Sequence, residues 1–198
     1  MEGVDRNADL VDMKTHHKLK CDNLAQIQEQ VMTWLEKKGT GLTESRSLWN
    51  KVHTVDLLAG APALVEYCRT LGLRVREVAM TVINKHADVG LHIDELPVTA
   101  KINIPIVNTK NSFNRWYKIP GRLMKETAPV INKFGQKYYM FQDVDYSELE
   151  LIDELELTGP AVFNSQIAHN IVVDKDCPLP RLVLACTFFN EPLHYLRD

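Results

Sequence analysis

The sequence predicts a mainly β domain with helices packed on a β-sandwich or barrel. Two observations carry this: helix-period stripes occupy the first third of the chain, and short, β-branched strand patterns fill the rest. Leu24, Ile27, Val31 and Trp34 recur at helical spacing and form one apolar stripe. Asp22 or Asn23 is expected to cap its start and Gly39 its end. A second helix is predicted from Pro62 to about Leu71. Pro62 sits in its first turn, Gly72 lies just past its end, and Leu64, Cys68 and Leu71 form its buried stripe. Beyond Gly72 the pattern turns to strands. Val75 to Ile83 is rich in β-branched residues. Val98, Ala100, Ile102, Ile104 and Ile106 alternate with Thr99, Lys101, Asn103, Pro105 and Val107, so the two sets face opposite sides of a sheet. Lys137 to Phe141 is short and aromatic. Leu155 to Thr158 and Ala161 to Asn164 flank the turn signal Gly159-Pro160. His169 to Val173 and Arg181 to Phe189 close the chain. The polar residues 1–20 are expected to be poorly ordered, 21–72 to give helical support and 73–190 to form the β core.

A chain of 198 residues fits one domain with a sizeable core. Hydrophobic content of 45% and charged content of 25% are those of a soluble globular protein. The net charge of −3 argues against a dominant nucleic-acid or anionic-membrane footprint. No stretch approaches 18 apolar residues, the length that crosses a bilayer. Cys21, Cys68, Cys177 and Cys186 form no Cys-x-x-Cys pair, which excludes the common zinc-knuckle and thioredoxin patterns. The start Met1-Glu2-Gly3-Val4-Asp5-Arg6 has no apolar secretory core, so a reduced, cytoplasmic protein is expected.

The most informative motif is His92-Ile93-Asp94, followed far downstream by His169 and Arg181. On a strand, His92 and Asp94 point to one face while Ile93 points away. With His169 they offer two imidazoles and one carboxylate on one side of a metal, a set that suits non-haem Fe(II) with open positions for substrate and oxygen. The pair alone is weak: with 7 His and 26 acidic residues, chance gives about one His-x-acid match. This chain has two, the other being His86-Ala87-Asp88. That second match lies in a stretch without alternation, close to Gly90, and reads as loop. His92 and Asp94 instead end a strand region before Leu96-Pro97, at a sheet rim where a site can open. Arg181 heads the apolar strand Leu182-Val183-Leu184-Ala185-Cys186. A cation there is costly unless it is paired with an anion, either a carboxylate of the fold or a bound ligand.

His92-x-Asp94, distal His169 and Arg181 in the last core strand together resemble the 2-oxoglutarate/Fe(II)-dependent dioxygenases. Lys101-Ile102-Asn103-Ile104-Pro105-Ile106 and Ala168-His169-Asn170 are similar to a small-domain branch near the aspartyl/asparaginyl hydroxylase and phytanoyl-hydroxylase-like groups. The resemblance covers roughly residues 75 to 190. It implies a double-stranded β-helix, the cupin-like jelly roll, buttressed by the N-terminal helices. It also implies that His92, Asp94 and His169 ligate Fe(II), and that Arg181 holds the distal carboxylate of 2-oxoglutarate. Asn103, and behind it Lys101, are candidates for further contacts to that cosubstrate. The implied activity is O2-dependent hydroxylation of an unidentified small-molecule or peptide substrate, with release of succinate and CO2. Asp94 stands where halogenating members carry a small residue, which favours hydroxylation. Val183 stands where many members have Ser or Thr, and the stretch from His169 to Arg181 is longer than common, so the cosubstrate's contacts differ in part.

Two other readings fit the residues. A zinc hydrolase shares the ligand set but leaves Arg181 unexplained and lacks His-Glu-x-x-His. A non-enzymatic cupin-like module would use the same polar residues only to bind. Residues 109–125 carry Lys110, Arg115, Lys118, Arg122 and Lys125 among Phe113, Trp116 and Tyr117. They read either as an anion- or nucleotide-holding surface or as a hairpin with solvated charges and core aromatics. Residues 143–156 carry seven acids and no base, a solvated face that can pair with the basic stretch.

Overall fold

The computed structural model describes residues 13–38, 49–96, 98–131 and 137–197. The expectations placed on residues 1–12, on Gly39 and on Pro97 lie outside them. Among the described residues, twelve strands form two six-stranded antiparallel sheets. In chain order they are β1 (His16–Lys18), β2 (Trp49–Lys51), β3 (Val75–Ile83), β4 (Ala87–Leu96), β5 (Ala100–Val107), β6 (Ser112–Lys118), β7 (Val130–Ile131), β8 (Lys137–Met140), β9 (Glu150–Glu156), β10 (Ala161–Asn164), β11 (His169–Val173) and β12 (Arg181–Phe188). The first sheet runs β1-β10-β5-β12-β3-β2 and the second β7-β8-β4-β11-β6-β9. From β3 to β6 the chain changes sheet with every strand, and it does so again from β9 to β12. The result is four strands of each sheet stacked as a jelly roll, the predicted double-stranded β-helix.

Four α-helices of the described residues accompany the sheets: α1 (Leu24–Lys38), α2 (Thr54–Gly60), α3 (Pro62–Thr70) and α4 (Gly121–Glu126). α1 to α3 cover the outer face of the first sheet. Ile27, Val31, Trp34, Leu57, Leu64 and Cys68 pack there against Ala100, Ile102, Ile104 and Ile106 of β5 and Leu182, Leu184 and Cys186 of β12. The alternation in β5 therefore sends its aliphatic set to the helices and leaves Lys101 and Asn103 on the face that looks at the second sheet. Leu71, expected in the α3 stripe, is only partly buried and caps the helix, while Tyr67 takes the buried place. The short β1, β2, α2 and α4 have too few residues to show periodicity and were not predicted.

The basic stretch divides between β6 and α4. Tyr117, Ile119, Leu123 and Met124 join Leu91, Ile93, Phe141 and Tyr146 in an apolar cluster on the outer face of the second sheet. Its charges meet the acidic stretch: β6 pairs with β9, which sets Arg115 on Glu154 at 2.5 Å and Lys118 on Glu150 at 3.5 Å, and Arg122 of α4 meets Glu148 at 3.4 Å. These exposed pairs are worth little each, but they account for three of the five bases without any ligand. No helix among the described residues is long and apolar enough to cross a membrane.

Gly72 closes α3 with φ of +67°, and its neighbour's Leu73 N–H donates to Cys68 O at 2.9 Å. A Cβ at Gly72 would meet nothing within 4 Å. Gly72→Ala therefore carries only the left-handed backbone penalty, about 1–2 kcal/mol. The expected result is a lower denaturant midpoint with an unchanged slope.

Candidate metal centre

His92 and His169 are brought together by strand register. β11 pairs with β4 so that His169 lies opposite His92, and with β6 so that His169 lies opposite Trp116. Two residues further along β11, Ile171 pairs with Val89, so three steps on β4 oppose two on β11. This β-bulge around Gly90 and Leu91 resets which face each β4 residue occupies. Val89 faces the cluster of Ile83, Ile171, Val173 and Cys177. Leu91 and Ile93 turn outward, and His92 and Asp94 turn in. Asp88 is left outside, where Asn170 Nδ2 donates to it at 2.8 Å. The expectation that His86-Ala87-Asp88 is loop is corrected here: β4 begins at Ala87, and the missing alternation is the bulge. His86 meets Cys177 O through Nε2 at 3.0 Å, so the second His-x-Asp match is split between unrelated partners.

One donor atom from each of His92, Asp94 and His169 lies within 4.8 Å of the others, close enough to hold one metal ion. His92 Nε2 is 3.8 Å from Asp94 Oδ1, and His169 Nε2 is 3.5 Å from Asp94 Oδ2. The Nδ1 atoms point the other way. His92 Nδ1 meets Gly90 O at 2.9 Å and His169 Nδ1 meets Ile167 O at 2.8 Å. A carbonyl only accepts, so each Nδ1 carries a proton, and Nε2 is the ring atom left to face a metal beside Asp94. This is the outer-shell arrangement that fixes metal-binding histidines. Burial, reinforced by the neighbouring His169, pushes the His92 imidazole down to about 4, which keeps it in the neutral, ligating form. Burial works to raise Asp94, but Lys101 and the two imidazoles outweigh it and hold the carboxyl well below its usual range. Lys101 reaches across from the first sheet and donates through Nζ to Asp94 Oδ2.

Arg181 is 1% exposed. Its Nε donates to Ser112 Oγ at the head of β6, across the gap between the sheets, and its Nη1 has no hydrogen-bond partner. Among the described residues no carboxylate pairs with it, so the ion pair within the fold that the sequence left open is not formed. Burial lowers it to about 10, which still leaves a cation at neutral pH. The inward face of β6 links the two ends of this interior. Ser112 lies opposite Val173, Asn114 opposite Ile171 and Trp116 opposite His169. Four residues of strand span about 13 Å at ~3.3 Å per residue. Asn114 Nδ2, Trp116 Nε1 and, from β5, Asn103 Oδ1 are also buried without partners. Buried polar atoms are nearly always satisfied. Four orphans on residues that face one another between the sheets are the mark of a polar ligand site.

The structure thus assembles His92, Asp94 and His169, and adds Lys101 to them. It places Arg181 near the far end of the β6 row and Asn103 on the inner face of β5. Sequence reading missed Ser112 and Asn114, and named Trp116 only among the aromatics of the basic stretch. Their signal was present as the alternation of Ser112, Asn114 and Trp116 with Phe113, Arg115 and Tyr117, but the density of bases drew attention to the outer set.

No protein-family model and no curated protein sequence matches the chain. Solved structures match its fold. The chain is similar to SnoK, a non-haem alpha-ketoglutarate-dependent carbocyclase from nogalamycin biosynthesis, with 14% identity over 94% of this chain and 84% of that one, and a TM-score of 0.54. It is similar to HygX from Streptomyces hygroscopicus with iron bound, with 13% identity over 93% and 86% and a TM-score of 0.51. HygX with nickel and 2-oxoglutarate bound gives 14% identity, the same coverage and a TM-score of 0.50. At these identities the likeness is one of fold.

Metal analysis of purified protein is expected to give one divalent ion per chain. His169→Ala should lower the affinity by more than about 100-fold, beyond the 10–100-fold typical of losing an outer-shell partner. His86→Ala should retain the ion, since His86 belongs to Cys177 O.

Proposed function

We propose that this chain is a 2-oxoglutarate- and Fe(II)-dependent oxygenase, which hydroxylates a substrate with release of succinate and CO2. The observation that carries the proposal is Arg181: a fully buried guanidinium, with no acid paired to it among the described residues, in the same interior as a two-histidine, one-carboxylate cluster. The donor set fits ferrous iron, since imidazole and carboxylate suit it and three protein donors would leave coordination positions open. Bound there, iron with a 2-oxo acid and O2 supplies the oxidising power.

The chain's own residues bind and orient. His92, Asp94 and His169 hold the metal, with the two histidine rings fixed by the carbonyls of Gly90 and Ile167. Arg181 takes the distal carboxylate of the cosubstrate, for which a planar fork with unused N–H groups is suited. Asn114, Trp116 and Asn103 offer the donors and acceptor between those ends. The apolar cluster of Trp116, Leu155, Leu157, Ala161, Phe163 and Val183 closes the interior to water beside this row. Val183 therefore serves packing rather than polar contact, and the β6 row supplies what a Ser or Thr there would have given. The zinc-hydrolase reading leaves the guanidinium and the row of orphans without a purpose. The four free cysteines suit a reducing compartment.

Arg181→Met removes the clamp and leaves the metal ligands in place. Calorimetry on the metal-loaded, oxygen-free protein should show 2-oxoglutarate binding weakened roughly 10- to 150-fold, the loss of about 1.5–3 kcal/mol of charge-assisted hydrogen bonding. Metal content should stay the same. Without ligands the variant should melt no lower than the wild type, because a buried charge lacking a counter-ion is itself destabilising. Unchanged 2-oxoglutarate affinity would remove Arg181 from the account.

A further inference from the structure

Lys101 was expected to touch the cosubstrate, and its ammonium instead lies on the metal carboxylate. The contact joins the two sheets: Lys101 belongs to β5 of the first and Asp94 to β4 of the second. Both side chains are largely removed from water, with relative exposures of 7% and 15%. A carboxylate so placed needs a counter-charge. Lys101 provides it when no metal is bound.

A divalent ion on Asp94 would provide the same counter-charge. Two cations would then share one carboxylate. Arg181 adds a third positive charge to the interior, and no carboxylate of the described residues answers it. Like charges held at such separations in a poorly screened interior repel. An anion entering the same space relieves that repulsion. Two sites that each change the charge felt by the other are thermodynamically coupled, and the coupling is reciprocal.

We propose that Lys101 is a positioning residue that acts as the built-in counter-cation of Asp94. It holds the carboxylate toward His92 and His169 before metal arrives, weakens metal binding while the interior lacks an anion, and so makes retention of the metal depend on the anionic cosubstrate. This rests on reading His92, Asp94 and His169 as the metal centre.

The test is titration of Mn(II) into wild type, Lys101→Met and Lys101→Arg, each with and without 2-oxoglutarate, together with melting curves. In Lys101→Met, Mn(II) should bind about tenfold tighter without 2-oxoglutarate, within the range common for coupled sites. The gain in Mn(II) affinity on adding 2-oxoglutarate should shrink by the same factor. Lys101→Arg keeps the charge and should behave like wild type. The metal-free Lys101→Met protein should melt below wild type and recover with Mn(II). If it folds only when Mn(II) is present, the metal has replaced the lysine as counter-cation, which supports the proposal. If it stays unfolded at saturating Mn(II), or binds Mn(II) no tighter than wild type, the proposal is overturned while the metal centre stands. If wild type itself binds no Mn(II), the metal-centre reading fails, and this inference with it.

Discussion

The register of β11 between β4 and β6 is the constraint on which the site depends. It sets His169 against His92 on one side and against Trp116 on the other. Strand side chains alternate faces, so a slip of one residue would turn His169 out of the interior. The bulge at Gly90 and Leu91 provides the matching correction on β4. Without it, the residue pairing that puts Val89 inside would put His92 outside. The two carbonyls that orient the imidazoles, those of Gly90 and Ile167, each lie two residues before the histidine they hold. The same local backbone that fixes the register therefore also fixes the tautomers.

Electrostatics gives this interior its character. A jelly-roll interior can be filled with apolar side chains, as the cluster around Phe163 and Val183 is here. Beside that cluster the chain buries Lys101 and Arg181, half-buries Asp94, and leaves polar atoms of Asn103, Asn114, Trp116 and Arg181 without partners. Each is unfavourable for folding alone. Their concentration in one place is the pattern expected where stability is given up for binding. The outer face of the second sheet shows the contrast: Arg115, Lys118 and Arg122 are met by acids of β9 and the 3-10 turn at Tyr146–Glu148.

Much of this was legible in the sequence. The alternation of Ala100 to Val107 gave both the strand and the placing of Lys101 and Asn103 on one face, and the packing of the aliphatic set against the helices makes that face the inner one. Pro62 and Gly72 marked the ends of α3. His92, Asp94, His169 and Arg181 could be chosen because their order and spacing agreed with one family pattern. What could not be read has physical causes. The bulge breaks the period that identifies a strand, so Ala87 and Asp88 looked like loop. Ser112 and Asn114 are small polar residues common in turns, and only their pairing with β11 makes them interior. Lys101 could be assigned to a face from parity, but its partner lies on the opposite sheet, which no local pattern reveals.

The central claim is that one cavity holds iron and a 2-oxo acid together. The most direct measurement is the visible spectrum of oxygen-free protein as Fe(II) and then 2-oxoglutarate are added. The account predicts a metal-to-ligand charge-transfer band that requires both components and is absent in His92→Ala. A folded wild-type protein that shows no such band would contradict it.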